Sequence, residues 1–107
     1  KVIQVFTNLM DNALRFTPAH GSISLSSNHD EKFVTLNITN TGYGIDEKHI
    51  PHLFERFYKV DRSRNDKGTG LGLAIVKHIV LAHGGDVDVK SSLGEETTFS
   101  VILPRAS

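Results

Sequence analysis

"NLMDNALRFT", residues 8–17, belongs to a segment patterned to bury apolar surface, yet it sets two asparagines one turn apart and an arginine three residues further on. Val2, Ile3, Val5, Phe6, Leu9, Met10, Ala13 and Leu14 recur at helical spacing and fill about half of a helical wheel. Asn8, Asn12 and Arg15 fall together at one edge of that arc, because steps of three and four residues keep one face. Asparagine is a mediocre helix former and costly to bury without partners. Either backbone groups satisfy these amides or something polar lies against that edge. Pro18 and Gly21 close the helix.

Working outward, "SISLSS" (22–27) and "FVTLNIT" (33–39) alternate with period two and read as strands joined by the polar "NHDEK". "NTGYGID" (40–46) carries two glycines around one residue, a backbone suited to a tight approach. Asp46 can cap a short helix running through Phe54, with Pro51 opening its second turn. Residues 71–82, "LGLAIVKHIVLA", are apolar nearly all round and predict a largely buried helix, ended by the glycines of "HGGD" (83–86). "VDVKSS" (87–92) and "TTFSVILP" (97–104) are the last strands, joined by "LGEE". Helix, two strands, short helix, long loop, helix and two strands imply an α+β fold. The expected architecture is a two-layer α/β sandwich, its sheet mixed but mostly antiparallel, with helices on one face.

Bulk composition narrows the function classes. The chain has 107 residues, 38% hydrophobic and 22% charged, as in an ordinary globular domain. Its formal net charge is zero, which lends no support to a nucleic-acid partner. With no cysteine, disulfides and Cys-type zinc sites are excluded. No apolar run approaches ~20 residues and no signal-peptide pattern opens the chain, so the segment is expected to be soluble. "KVIQVF" starts inside an amphipathic pattern, so the reading is of one domain over 1–107, truncated at its N-terminus. Charge is concentrated in "RFYKVDRSRNDK" (56–67), where five cations meet two carboxylates for a net of +3. A basic, polar, glycine-terminated stretch of this kind is either a solvated loop or one that meets an anion.

Gly68, Gly70 and Gly72 lead into the second long helix. The phosphate loop G-x-x-x-x-G-K-[ST] is absent, and the dinucleotide fingerprint needs a strand where this sequence has the basic loop. Alone, "GTGLGL" supports only an anion near a helix N-terminus or tight helix packing. It does not stand alone. Asn8 and Asn12, the glycine pair at 42 and 44, "FERFYKVD" (54–61) and "GTGLGL" (68–73) occur in that order. This set resembles the N, G1, F and G2 boxes of sensor histidine kinases, whose ATP-binding domain belongs to the gyrase, heat-shock chaperone, histidine kinase and MutL superfamily. The resemblance extends through "HGGDVDV" to "TTFSVILP".

The resemblance implies a Bergerat-type fold that binds Mg·ATP. Asn12 would supply a carbonyl oxygen to Mg²⁺, a hard cation that takes one or two protein ligands and leaves the rest to phosphates and water. Asn8 would line the same cleft, Arg15 would reach phosphate and Phe16 would pack beside adenine. Lys59 and Arg64 would contact phosphates from the basic loop, which resembles an ATP lid anchored by Phe54 and Phe57. Asn8, Asn12, Arg15, Lys59 and Arg64 are thus the implied catalytic set. Asn40, Gly42, Gly44, Ile45, Gly68, Thr69, Gly70, Leu71, Gly72, Leu73 and Thr98 complete the implied nucleotide-binding set, the glycines letting backbone approach the ligand and the lid hinge. In the gyrase and MutL branches a glutamate base occupies the position of Asn8; an amide cannot take a proton from water, so this sequence is suited to holding ATP for attack by another group. Two positions depart from the family pattern. Asn40 stands where an aspartate bonds the adenine amino group, and Glu96 replaces the second glycine of the late "G-x-G-T-T-F".

His49 and His52 are spaced to share a metal, but the sequence suggests no third ligand nearby, and none of the six histidines lies in the H-E-x-x-R/T-P context of the family's phosphoacceptor. The acceptor histidine is therefore expected on an adjoining dimerisation domain outside these residues. The expected activity is protein-histidine kinase, passing phosphoryl onward to a response regulator receiver domain. The expected assembly is a homodimeric parent anchored in the bacterial membrane, with this domain cytoplasmic and, as a fragment, monomeric. The alternative is a non-catalytic nucleotide-binding regulatory module of the same fold.

Overall fold

Val5, Leu9 and Ala13 follow at steps of four and are all buried, forming the inner stripe of helix α1, Val2–Phe16. The structure is a computed structural model that describes residues 2–42, 44–58, 72–92 and 94–105, without the side chains of Val2 and Phe16. The Thr17 hydroxyl donates to the Ala13 carbonyl at 2.6 Å, and Pro18 cannot extend the helix because it lacks an N–H. The outer half of the apolar arc is uncovered: Ile3 is 81% exposed and Leu14 63%.

Strands β1 (Ile23–His29), β2 (Phe33–Thr41), β3 (Asp86–Ser92) and β4 (Glu96–Pro104) form one sheet in the order β1-β2-β4-β3. Each neighbouring pair is antiparallel, so the described part of the expected mixed sheet is two hairpins laid side by side. Alternation sorts the side chains. Ile38 and Asn40, Thr97, Phe99 and Val101, and Val89 are buried beneath the helices. Their neighbours make a polar outer face, where Thr39 and Thr98 share a hydroxyl–hydroxyl bond of 2.8 Å and Ser100 donates to Asn37 Oδ1 at 2.6 Å. In the β1–β2 turn, Asp30 Oδ1 accepts the N–H groups of Lys32 and Phe33, both at 2.8 Å. Those two bonds, Phe33 first, hold the Asp30 carboxyl below the ordinary range. Arg105 at the end of β4 clamps the same turn by donating to the Asp30 carbonyl at 2.7 Å.

Helix α2, Gly72–Ala82, lies beside α1 and over β3 and β4. It buries Val76, Ile79 and Val80, each worth roughly 1.5–3 kcal/mol of transfer energy. Lys77 and His78 face outward and Leu81 is 50% exposed, so the helix expected to be largely buried has one buried face and one exposed one. Its end follows the glycine signal. Gly85 N–H donates to the Val80 carbonyl at 2.9 Å and Gly84 N–H to the Leu81 carbonyl at 3.0 Å, with Gly84 at φ +79. A Cβ on Gly85 would stand 2.0 Å from the Ile102 carbonyl oxygen, which shows how closely the helix end rests on β4. Asp46 caps the short helix as expected, accepting the Lys48 N–H at 3.1 Å, but the helix is 3₁₀ and spans Glu47–His52.

Candidate functional site

The polar edge of α1 meets the start of α2. Asn8 Nδ2 donates to the carbonyl of Gly72 at 3.4 Å, linking residues 64 apart in sequence. Asn12, one turn on, is half-buried on the same helix edge. Arg15 is held at its surface by Asp11, four residues earlier, with Nη2 2.7 Å from Oδ2.

The sheet supplies the second wall. Asn40 closes the inner side of β2 with 2% of its surface exposed, and its Nδ2 donates to the Thr41 carbonyl at 3.4 Å. Thr41 Oγ1 is itself fixed by the Ser22 N–H at 2.8 Å. The chain then leaves the sheet through Gly42 at φ +138 and Gly44 at φ +68, values that L side chains avoid, so these two glycines are required by the path of the loop. Gly42 N–H donates to the Glu95 carbonyl at 2.9 Å, and Ile45 N–H to Ser91 Oγ at 2.7 Å. Ile45 is buried, which turns the loop back into the core before the 3₁₀ helix.

After that helix, Phe54 stands edge-on to Phe99, 6.2 Å between ring centroids at 88°, with Lys77 Nζ 5.8 Å from its ring. Phe54 is thus a core anchor. Phe57 differs: it is 58% exposed at φ +66, and the Arg56 guanidinium lies 5.7 Å from its ring centroid.

The sequence profile of the histidine kinase-, DNA gyrase B- and HSP90-like ATPases matches residues 1–107. The chain belongs to this family. It is homologous to sensor histidine kinases. It is 49% identical over 104 residues to the sensor protein SrrB of Staphylococcus aureus, covering 95% of this chain and 18% of that protein. The chain therefore spans under a fifth of the length of the curated relatives it matches. Among solved structures, the mycobacterial sensor histidine kinase MprB superposes with a TM-score of 0.85 at 34% identity, covering 94% of this chain and 70% of that one. Full-length ShkA in complex with AMPPNP gives 0.85 at 32% identity over 97% of this chain and 21% of its own.

The inferred site residues fall into three groups. Asn8, Asn12, Arg15, Asn40, Gly42, Gly44, Ile45, Gly72 and Leu73 lie in described segments on α1, the end of β2, its loop and the first turn of α2. Lys59, Arg64, Gly68, Thr69, Gly70 and Leu71 lie outside the described residues, as does the side chain of Phe16. Thr98 requires correction. It sits on the outer face of the sheet, bonded to Thr39, because strand alternation that buries Phe99 turns its immediate neighbour outward. The threonine on the inner side is Thr97, 3% exposed and opposite Asn40 in the β2–β4 register. Counting two back from Phe99 would have found it. The two histidines of the 3₁₀ helix have partners of other kinds, His49 with Tyr58 Oη and His52 with Glu55.

Proposed function

We propose that this domain binds Mg·ATP and presents its γ-phosphoryl group to a histidine on an adjoining dimerisation domain, as the catalytic part of a two-component sensor kinase that signals to a response regulator. The observation that carries this reading is the Asn8–Gly72 contact. It joins the polar edge of the first helix to the start of the helix that follows "GTGLGL", the juxtaposition a shared nucleotide cleft needs. ShkA, solved with AMPPNP, supports the ligand class.

Phosphoryl transfer asks of a protein chiefly positioning and charge neutralisation. Asn12 offers a half-buried amide oxygen, a hard donor that fits Mg²⁺. The metal, when bound, neutralises phosphate charge. Asn8 orients from the same edge. Gly42 and Gly44, which carry no side chains, would let the base approach Asn40. Arg15, Lys59 and Arg64 supply cations for the phosphates, Arg15 by leaving Asp11. In the parent protein the same reading places this domain in the cytoplasm beneath a membrane anchor and within a homodimer; among the described residues no helix is long and apolar enough to cross a membrane.

Asn40, in place of the family's aspartate, is the observation that favours the second reading, a nucleotide-binding regulatory module without transfer. One experiment separates them. Incubating the protein with γ-labelled ATP and a histidine-bearing dimerisation fragment should yield acid-labile label on that fragment. Nucleotide binding without any transfer would select the module.

A further inference from the structure

Three polar side chains stand in one row across three strands on the helix-facing side of the sheet: Asn40 opposite Thr97, and Thr97 opposite Ser91. The glycine loop passes this row and is tied to its far end, where the Ile45 N–H reaches Ser91 Oγ at 2.7 Å. Ser91 Oγ also lies 3.1 Å from the Glu96 carbonyl and 2.8 Å from Thr97 Oγ1. A serine hydroxyl has one hydrogen and two lone pairs. The Glu96 carbonyl can only accept, so it takes the Ser91 hydrogen. The Ile45 N–H can only donate, so it takes one lone pair. The second lone pair remains for Thr97, which must be the donor in that contact. All three contacts are satisfied at once in this arrangement, and Thr97 is left with lone pairs alone for its other neighbours.

We infer that Ser91 is a positioning residue for the nucleotide site: it pins the loop backbone at Ile45 to the sheet, at the other end of the row that begins with Asn40, and fixes Thr97 as a hydrogen-bond acceptor. The inference rests on the reading of this loop as the wall of a nucleotide cleft. Ser91 touches no ligand in that reading. It sets the height of a loop whose glycines have no side chains with which to hold themselves. An open recess of about 440 Å³ between the 3₁₀ helix and β3, lined by Ile45, Asp46, Glu47, Ile50, Lys90 and Ser91, lies against this anchor.

The test compares Ser91→Thr with Ser91→Val, which match in shape and differ in the hydroxyl, in the protein expressed with whatever sequence flanks it in its gene. Amide exchange at Ile45 and the calorimetric affinity for Mg·ATP are the readouts. In wild type the Ile45 amide should exchange slowly. In Ser91→Val it should exchange roughly five- to tenfold faster, with Mg·ATP bound several-fold more weakly, the loss expected for one hydrogen bond. Ser91→Thr should stay near wild type in both. Equal behaviour of the two variants would overturn the inference, as would an Ile45 amide that exchanges in wild type like a free one, a result independent of whether the valine variant folds. Wild-type protein that binds no Mg·ATP would instead defeat the nucleotide reading itself, and this inference with it.

Discussion

Restoring the aspartate at position 40 should sharpen the choice of base. Asn40 is buried, and among the described residues its amide is held by one contact, Nδ2 to the Thr41 carbonyl at 3.4 Å. That orientation leaves Oδ1 as the acceptor for an adenine amino group, the pairing that the family resemblance implies. A hydrogen bond of ordinary length contributes about 0.5–1.5 kcal/mol net, and one stretched to the outer limit of the range lies at the weak end. An amide held by about 0.5–1 kcal/mol can turn over and donate to the O6 of guanine, so Asn40 can contribute at most about fivefold preference for ATP. Aspartate offers acceptors only and repels O6. A mismatched buried polar pair costs ~1–3 kcal/mol, roughly ten- to a hundredfold. Asn40→Asp should therefore raise the ATP-over-GTP affinity ratio several-fold. It should also destabilise the ligand-free protein, since a carboxylate would face the Thr41 carbonyl that the amide now bonds. Titration calorimetry with both nucleotides and both proteins, beside urea unfolding without ligand, measures each effect. An unchanged ratio would refute the argument that this amide is free to turn.

Gly85→Ala should cost about 3–5 kcal/mol in urea unfolding, because its Cβ would stand 2.0 Å from the Ile102 carbonyl oxygen and backbone must move. Gly84→Ala, with its Cβ 3.4 Å from Pro104 Cγ, meets only the penalty of φ +79, about 1–2 kcal/mol; equal losses would contradict the packing of α2 on β4. Asn12→Ala should weaken ATP binding mainly in the presence of Mg²⁺, and an equal loss with and without the metal would assign Asn12 a structural role. Asp30, its carboxyl lowered by the Phe33 and Lys32 N–H groups, contributes stability that is complete above its unfolded value and is lost as pH falls through the lower folded one. Wild type and Asp30→Ala should therefore differ in urea midpoint near neutrality and converge in acid; a difference that persists at low pH would exclude the carboxylate as the cause.

Local chemistry made most of the fold legible. Strand alternation, the Asp46 cap and the paired glycines after α2 each act within a few residues, and each stands in the structure. Breadth of pattern was less informative. The apolar arc of α1 is wider than the stripe it buries: Val5, Leu9 and Ala13 are inside while Ile3, Phe6 and Leu14 are exposed, since no described element lies against that side. Uniform apolarity similarly overstated the burial of α2, where Lys77 and His78 mark the outward face. Thr97 and Thr98 are adjacent and identical, so only the register set by Phe99 tells the inward one from the outward one. Ser91 was invisible for a different reason. Its partner is a backbone N–H 46 residues away, and nothing in "KSS" announces a contact of that range.

The asparagines that interrupt the apolar face of α1 now divide by chemistry. A glutamate at position 8 could act as a base on water, but it could not donate a hydrogen bond. Asn8 uses its amide as a donor, to the carbonyl of Gly72. A carboxylate placed there would meet that carbonyl as one acceptor facing another, and the link between the two helices would become a repulsion. The same substitution that removes a base for hydrolysis thus supplies the bond that sets the two helix edges against each other. Among the described residues Asn12 makes no such backbone bond, and its amide oxygen is a hard donor on that edge. On the proposed function, a helix with this pair would hold a charged ligand in place while leaving water beside it unactivated, which is what donation to a separate acceptor requires.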